Sequence, residues 1–294
     1  MSERVAVEWL KLYAEQIRPR GLPGRGDLLG RLSPDAELSG PVVRMVEQEA
    51  GQLLLWPGEF SPGQWDWDSV VTAQCARSDE LGLPLVWYCD DAHHALTARL
   101  RAAGFTPQGR EEIMVGRSTE MACAPGARPA LPAGTRLRPA ATGADFEQVR
   151  ELAVRVRGGS WNWLPAALER WSADEDDPCA VTVVEAPRRK VVAAGLVRFH
   201  TGTGFASLWG ASVHPAWEGQ GLYRSLLGHR AALAARRGHS YLYTEALPSS
   251  RPVLARLGMV IVTTHTPYQY FPPGRPRGAA QTSASTTANP PRHT

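Results

Sequence analysis

Two glycines one residue apart, Gly219 and Gly221, stand between a predicted strand at 205–213 and a helical pattern that begins near Leu222. Without side chains, these residues let their backbone N–H groups approach a ligand closely and adopt dihedral angles closed to other residues. The first turn of the following helix leaves its amides unpaired, at the positive end of the helix dipole. The arrangement predicts an anion site whose usual occupant is a diphosphate; a simple tight turn is the alternative.

Two common nucleotide motifs do not fit this junction. No Gly-Lys-Ser or Gly-Lys-Thr follows Gly221, so the lysine and the metal-binding hydroxyl of nucleoside triphosphate transfer are missing. No third glycine completes a dinucleotide fingerprint, and the preceding strand lies within a largely antiparallel order. Both ligand classes are therefore disfavoured.

The patterns around the glycines predict an α/β (α+β) domain over residues 135–271. Apolar residues at helical spacing predict helices at 144–158 and 165–171, and runs of β-branched residues predict a hairpin at 180–200. A mixed, largely antiparallel sheet flanked by helices follows. The other predicted elements are strands at 135–140, 205–213 and 241–246, a short helix from Ser250 to Leu257, and a closing strand at 259–271 in which Pro267 forces an irregularity.

The N-terminal part of the chain shows a shortened version of the same order. Residues 83–105 and 239–259 each give a strand, a polar turn and a helix, and then Leu, three residues, Gly and an apolar residue. We interpret this as an internal duplication with a degenerate copy at 1–117; an unrelated α/β cap is the alternative. Residues 56–70 contain no Gly-x-Gly at a helix start, so the copy is not expected to bind a cofactor.

Two segments lack any apolar period. Residues 118–134 combine small residues with prolines and glycines, which predicts a linker between the two units. Residues 272–294 carry almost no large apolar side chain and are predicted to be a disordered tail.

Composition excludes several partners. The formal net charge is only +3 and no basic run appears, so nucleic acid is a poor candidate. Cysteines 75, 89, 123 and 179 are too far apart for a zinc site or a dense disulfide framework, which predicts no metal and a reducing compartment. No signal segment and no apolar run of membrane-spanning length is found. We expect a cytoplasmic protein, monomeric or homodimeric, that does not bind membranes.

The segment SVHPAWEGQGLYRSLL (212–227), followed by a strand, a helix and LARLGM (254–259), resembles the GNAT superfamily of acyl-CoA-dependent N-acyltransferases. The resemblance spans about 135–271 and makes the N-terminal copy a truncated half of the same fold. It implies acetyl-CoA as co-substrate, with the pantetheine arm along the strand backbone and the diphosphate on the glycine loop. The cofactor-binding residues expected are Ala211, Ser212, Val213, Gly219, Gln220, Gly221, Leu222, Tyr223 and Arg224.

Three positions depart from the family pattern. Glu218 stands where Arg or Gln is usual, and Tyr223 replaces a small residue, so the loop must accommodate a ring. The tyrosine that often protonates the leaving thiolate is replaced by Leu254. Arg224 is a candidate phosphate contact, with a surface ion pair as the alternative.

Acyl transfer to an amine calls for a base and an acid, and the strand at 205–213 contains no carboxylate. The candidate bases are Glu245 and His214, with His200 as a further possibility, and the leading candidate acid is Tyr268. The alternatives are helix capping for Glu245, a solvated turn for His214 and core packing for Tyr268. Water could also carry both protons.

The segment at 158–171 lies where the resemblance places the acceptor pocket. Trp161 and Trp163, with Trp171, could bind an apolar or aromatic amine by cation–π contact, or could instead anchor the helices. The acidic loop at 172–178 could attract a cation or be a solvated turn. The sequence thus predicts acetyl transfer from acetyl-CoA to a small-molecule primary amine in a ternary complex, beneath a degenerate N-terminal cover. The alternatives are a non-catalytic acyl-CoA-binding sensor or interaction module, another acyl group, and an alcohol acceptor.

Overall fold

The computed structural model describes residues 3–17, 37–47, 52–57, 65–91 and 93–274. The chain divides into two compact units: residues 114–260 form the second unit, and the described residues up to 113 together with 261–274 form the first. Most of the predicted tail, from 275 onward, lies outside the described residues. The architecture is mixed α/β with largely antiparallel strands flanked by helices, as predicted.

The first unit carries helices α1 to α3 and strands β1 to β5, and the boundary with the second unit falls within β6, after residue 113. Its sheet order is β1-β2-β3-β4-β12, with β5 beside β12. β3 and β4 run parallel, with α2 between them in the chain. The helices are α1 (Glu3–Gln16), α2 (Trp67–Leu81) and α3 (His94–Ala102); the strands are β1 (Glu37–Ser39), β2 (Val42–Glu47), β3 (Gln52–Pro57), β4 (Leu85–Asp90), β5 (Thr106–Pro107), β6 (Glu111–Arg117) and β12 (Val260–Tyr270).

The second unit carries the remaining elements around the glycine loop. Its sheet order is β6-β11-β10-β9-β8-β7, and β10 and β11 run parallel, with α7 between them in the chain. The helices are α4 (Ser118–Cys123), α5 (Gly143–Arg157), α6 (Leu164–Ala173), α7 (Leu222–Arg236) and α8 (Arg251–Arg256); the strands are β7 (Arg136–Pro139), β8 (Cys179–Ala186), β9 (Lys190–Phe199), β10 (Phe205–Val213) and β11 (Tyr241–Ala246).

The core of the second unit has two layers of apolar side chains. On one side, α5 and α6 bury residues such as Phe146 and Leu168 against β8 and β9. Another cluster joins Leu222 and Leu226 of α7 to Val192 of β9 and neighbouring strand residues. Alternate strand residues point to opposite faces, so β8 and β9 are apolar on both.

Helix α5 begins and ends close to its predicted bounds because both of its ends carry local capping signals. Thr142 accepts a hydrogen bond from the Asp145 backbone N–H, and the Asp145 carboxylate accepts one from Thr142 N–H, which is a capping box. Gly158, with a φ of 74°, is the C-cap that ends the helix. Thus the helix predicted at 144–158 is observed at Gly143–Arg157.

The linker prediction for 118–134 is corrected by helix α4. Ser118 and Met121 are fully buried, and the Ser118 hydroxyl donates to the His239 carbonyl at 2.5 Å. A Cβ placed on Gly228 of α7 would collide with the Ala127 carbonyl. The segment therefore packs through small residues against α7, a kind of contact that leaves no apolar period in the sequence.

The closing strand is also assigned differently. Residues 261–270 of β12 belong to the first unit, because β12 pairs antiparallel with β4, with Tyr268 opposite Trp87. Pro267 does not interrupt the strand: it lies opposite Tyr88, and its carbonyl accepts the Gln108 N–H at 2.8 Å. Helix α1 was not predicted from the sequence at all.

Candidate functional site

The glycine loop joins β10 to α7 in the conformation that its composition suggested. Gly219 and Gly221 have φ angles of 73° and 82°, in the left-handed region that glycine adopts without steric cost. Gly221 is the N-cap of α7 and has no side chain to cap the helix, so the first backbone N–H groups have no partner within the helix. A Cβ at Gly221 would also lie 2.8 Å from Pro129 Cγ. The loop thus needs glycine for both backbone angle and space.

Strands β10 and β11 separate halfway along. Their parallel pairing ends at Ser207 and Tyr243, although β10 continues to Val213 and β11 to Ala246. At the point of separation the Thr244 hydroxyl donates to the Leu208 carbonyl at 3.0 Å. The edge of β10 beyond Leu208 is therefore open on the β11 side within the described part of the chain. Open strand backbone can hydrogen bond an extended ligand.

A bulge distorts β10 in this open region. Trp209 pairs with Leu196 and Ser212 with Ala194, so Gly210 and Ala211 together oppose Gly195. Gly210 has a φ of 61°, again in the left-handed region. The bulge turns the backbone of residues 211–213, where pairing with the pantetheine arm was predicted.

The two arginines that contact the bulged strand were not identified from the sequence. Arg157, at the end of α5, donates from Nη2 to the Ala211 carbonyl at 3.0 Å. Arg230, on α7, donates from Nη1 to the Leu196 carbonyl at 2.9 Å and to the Trp209 carbonyl at 3.3 Å. Arg230 is 1% exposed, and burial lowers its pKa to about 10, so it is charged at neutral pH.

Tyr223 and Arg224 begin helix α7. Tyr223 is half-buried; burial raises the pKa of its hydroxyl, while Arg230, the Ser250 hydroxyl and Arg157 act in the opposite sense. Arg224 is exposed, and its Nη1 lies close to the Gly126 backbone. No described carboxylate pairs with Arg224, so its guanidinium remains available to an anion.

The candidate bases occupy different environments. Glu245 lies on β11 two residues beyond the last pair with β10, and is half-buried. His214 caps the 3-10 turn at Pro215–Trp217, where its Nδ1 accepts the Ala216 N–H at 3.2 Å. Burial lowers the pKa of His214, with Lys190 and Arg155 adding to the effect. A histidine whose Nδ1 is an acceptor carries its proton on Nε2 when neutral. The described contacts therefore suit a turn-capping role.

Tyr268 lies in the first unit rather than in the domain to which the sequence assigned it. It is 2% exposed, packs with Trp87 and Leu96, and has the Arg101 guanidinium 5.5 Å from its ring centroid. Burial raises the pKa of the hydroxyl. These contacts are those of a core residue.

The tryptophans of the predicted acceptor region pack against each other. The rings of Trp161 and Trp163 are 5.8 Å apart, and those of Trp163 and Trp171 are 6.1 Å apart. The Arg157 guanidinium lies 5.5 Å from the Trp161 centroid, and Arg198 lies 5.9 Å from that of Trp171. The chain's own arginines thus contact two of the rings that were expected to meet a substrate cation.

The acidic loop is largely used within the protein. Asp174 accepts from Arg198 at 3.3 Å and from the backbone of Asp176 and Asp177. Asp177 is 1% exposed and accepts the Thr201 N–H at 2.8 Å. These contacts make Asp174 and Asp177 structural.

No helix among the described residues combines the length and apolar character needed to cross a bilayer. The four cysteines are free thiols.

Comparison with known proteins matches the second unit to a family. Residues 146–259 match the model of the acetyltransferase (GNAT) family. A search of curated proteins found no match.

Solved structures extend the likeness beyond those residues. A GCN5-related N-acetyltransferase from Sphaerobacter thermophilus superposes with a TM-score of 0.61 at 14% identity, over 79% of this chain and 76% of the other. One from Kribbella flavida gives 0.58 at 16% identity, over 92% and 95%. A tandem GNAT protein from the clavulanic acid biosynthesis pathway, solved without acetyl-CoA, gives 0.61 at 14% identity, over 92% and 96%. At these identities the likeness establishes the fold.

Proposed function

We propose that the second unit, whose residues 146–259 match the model of the GNAT acetyltransferase family, binds acetyl-CoA and transfers its acetyl group to a primary amine of a small molecule. The observation that carries the proposal is the opening between β10 and β11 next to a left-handed glycine loop at the start of α7. An extended thioester carrier with a diphosphate needs both features: an open strand for its amides and unpaired helix amides for its charge.

Backbone groups do most of the binding. The amides of Leu222, Tyr223 and Arg224 begin α7 and face the diphosphate, and the Arg224 side chain adds a positive charge. Glu218 is exposed and places an opposing charge near the loop, so the amides supply the attraction. The open backbone of Ala211, Ser212 and Val213 then holds the pantetheine arm.

The transfer proceeds by direct attack in the ternary complex. The neutral amine nitrogen adds to the thioester carbonyl carbon, and the carbonyl oxygen takes the negative charge, which a backbone N–H of the bulged strand stabilises. The intermediate then collapses: the C–S bond breaks, the amine gives up a proton and the thiolate gains one. Glu245 is the side chain of the second unit that we propose to accept the amine proton, directly or through water.

A non-catalytic coenzyme A-binding module is the second candidate. It is favoured by Leu254, which is 1% exposed in the core at the position of the family's tyrosine acid. Thiol release from acetyl-CoA, measured with and without a panel of small amines, separates the two candidates. Stimulation by an amine supports the enzyme, and binding with no amine-dependent release supports the module. Longer acyl-CoAs and matched alcohols in the same assay decide the acyl group and the acceptor atom.

The glycine loop offers a matched test of the binding site. Gly219 and Gly238 have φ angles of 73° and 84°, and a Cβ at either would meet no atom within 4 Å. Gly219→Asp and Gly238→Asp therefore carry similar backbone strain, but only the first puts a carboxylate in the loop. We expect Gly219→Asp to weaken coenzyme A binding in calorimetry by at least about tenfold and Gly238→Asp to leave it near the wild-type value. Equal affinity in both variants, or no affinity in the wild type, would refute the proposed site.

The proposed acetyltransferase works in the cytoplasm on a soluble amine.

A further inference from the structure

Arg230 is a buried cation for which the described residues provide no carboxylate partner. Its side chain is 1% exposed, and its hydrogen bonds go to backbone carbonyls: Nε to Leu226 at 3.1 Å, and Nη1 to Leu196 and Trp209. Nη2 has no hydrogen-bond partner in the described part of the chain. Burying a charge without an opposite charge costs free energy, so a residue of this kind calls for an explanation.

The ionisable groups that act on Arg230 are neutral at pH 7. Tyr223 and Cys179 favour its charged form, and burial raises the pKa of both, that of Cys179 to about 12; burial lowers the pKa of the neighbouring His229. Within the part of the chain that the structure describes, backbone carbonyl dipoles are therefore the groups that hold the positive charge. An apolar side chain of similar length would fill this space at a lower desolvation cost.

A glycine makes the room for the guanidinium. A Cβ on Gly195 would lie 2.8 Å from Arg230 Cζ and 2.9 Å from Nη1, so no other residue fits at 195 while Arg230 keeps its position. Gly195 is the residue of β9 that faces the bulge of β10. The guanidinium thus fills the space opposite the bulge.

The carbonyls that Arg230 holds stand at the edge of the bulge. Leu196 and Trp209 form the last regular pair before Gly210 and Ala211 leave the ladder. Nη1 donates to both carbonyls and so links β9 and β10 at the point where the bulge interrupts the backbone hydrogen bonds between them. This contact fixes where the bulge begins, and hence how the backbone of residues 211–213 is turned.

We propose that Arg230, seated against Gly195, is a positioning residue for acyl transfer: it holds the β10 bulge so that the open backbone beyond it presents its amides to the thioester. The inference rests on the proposed function of the second unit. It explains why α7 carries a costly buried charge at this position, since the charge keeps two carbonyls in place that an apolar side chain would release.

Arg230→Met is the first test, because it keeps the length of the side chain and removes the hydrogen bonds. A residue needed only for packing would lose stability and activity together. We expect the melting temperature to stay near wild type and the coenzyme A affinity to fall by less than about threefold, because the glycine loop that binds the diphosphate is unchanged, whereas kcat with a stimulating amine falls roughly ten- to a hundredfold. Arg230→Lys, with one bonding nitrogen, is expected to restore part of kcat. Leu227→Met, on the same helix and also buried, is the control and keeps full kcat.

Gly195→Ala reaches the same bulge from the facing strand. The added methyl displaces the guanidinium, so this variant should lose kcat like Arg230→Met, and the double variant Gly195→Ala/Arg230→Met should fold stably without recovering kcat. Amide hydrogen exchange at residues 210–213 should quicken in the single variants. If Arg230→Met does not fold, the kcat values of Gly195→Ala and Arg230→Lys test the proposal instead.

Two results overturn the inference. Full kcat in folded Arg230→Met or Gly195→Ala shows that the bulge does not depend on the arginine, and recovery of kcat in the double variant shows that Arg230 only fills space. Both differ from failure of the proposed function, in which the wild type itself neither binds coenzyme A nor releases thiol.

Discussion

Arg157 donates from Nη2 to the carbonyl oxygen of Ala211 at 3.0 Å, so a strand group expected to hold the cofactor already has a partner within the protein. The same guanidinium lies over the Trp161 ring, and burial lowers its pKa. A carbonyl oxygen accepts up to two hydrogen bonds, so a pantetheine amide that pairs with the Ala211 carbonyl would share it with Arg157 or displace the arginine. The bulged strand is consequently contacted by one arginine that we propose to be fixed and by another that competes with the proposed cofactor for a carbonyl oxygen.

The first prediction concerns this displacement. Arg157→Met leaves the Ala211 carbonyl without its partner in the free protein, so coenzyme A should bind roughly two- to tenfold more tightly, the equivalent of one net hydrogen bond. Calorimetry measures the change. Arg155→Met, an exposed position on the same helix, is the control. Weaker binding in Arg157→Met would instead make Arg157 a direct ligand of the cofactor.

The second prediction concerns the contact between α7 and the segment at 118–134. Alanine in place of glycine inside a helix normally stabilises it by about 1 kcal/mol. A Cβ at Gly228, however, would meet the Ala127 carbonyl, so Gly228→Ala should lower the free energy of unfolding by about 1–3 kcal/mol. Urea unfolding measures the sign. Ala235→Gly on the same helix calibrates the propensity, and a stabilised Gly228→Ala would restore the linker interpretation.

Local sequence patterns were enough to predict much of the fold. Helix α5 has apolar residues at helical spacing and a Thr142–Asp145 cap, both of which are local signals. The left-handed angles at Gly219 and Gly221 likewise followed from residue type. The order of the elements around them was enough to predict a mixed sheet and to place the glycine loop at the start of a helix.

What the sequence missed depends on contacts between distant residues. Tyr268 was assigned to the wrong unit because the sequence pattern of a strand does not show which other strand it pairs with. Here Tyr268 lies opposite Trp87 of β4. Arg230 gave no signal, since an arginine in a helix is most often exposed, and only Gly195, 35 positions away, makes its burial possible. Helix α4 was missed because it packs through small side chains. Their contacts depend on close fit in three dimensions and leave no periodic pattern of apolar residues in the sequence.

The third prediction concerns the dependence of stability on pH. Arg138 bonds the Asp145 carboxylate at 2.6 Å and holds its pKa well below the usual range, despite burial. A carboxyl with a depressed pKa stabilises the fold above its unfolded value, near 4, and this contribution is lost as pH falls towards the folded value. Asp145→Asn should therefore cost about 1–3 kcal/mol of unfolding free energy at pH 7.

The difference between the wild type and Asp145→Asn should be constant from about pH 6 to 8 and shrink steadily below about pH 4. Glu147→Gln removes an exposed pair with Arg150 on the same helix and should change stability less. A difference that does not change with pH would show that the charge of Asp145 does not contribute and that the substitution acts only by removing one of the two acceptor oxygens.

The last prediction concerns a Ser–His–Asp constellation in the second unit. His200 Nε2 lies 2.8 Å from Ser207 Oγ, and its Nδ1 lies 3.7 Å from Asp177. The geometry resembles the order of groups in serine hydrolases. Each of the three residues is at most 2% exposed, however, and Ser207 Oγ also accepts the Trp209 Nε1–H at 2.7 Å. A nucleophile enclosed in this way cannot meet a substrate.

Ser207→Ala should therefore lower acetyl transfer by less than about tenfold, against the roughly 10⁴-fold or greater loss that follows removal of a nucleophile. It should lower the free energy of unfolding by about 1–3 kcal/mol, because the Trp209 N–H and the His200 ring lose a buried partner. Kinetics and urea unfolding on the same preparation give both numbers. A serine-directed fluorophosphonate should leave the native protein unlabelled, and labelling at Ser207 would instead reveal a second, hydrolytic centre.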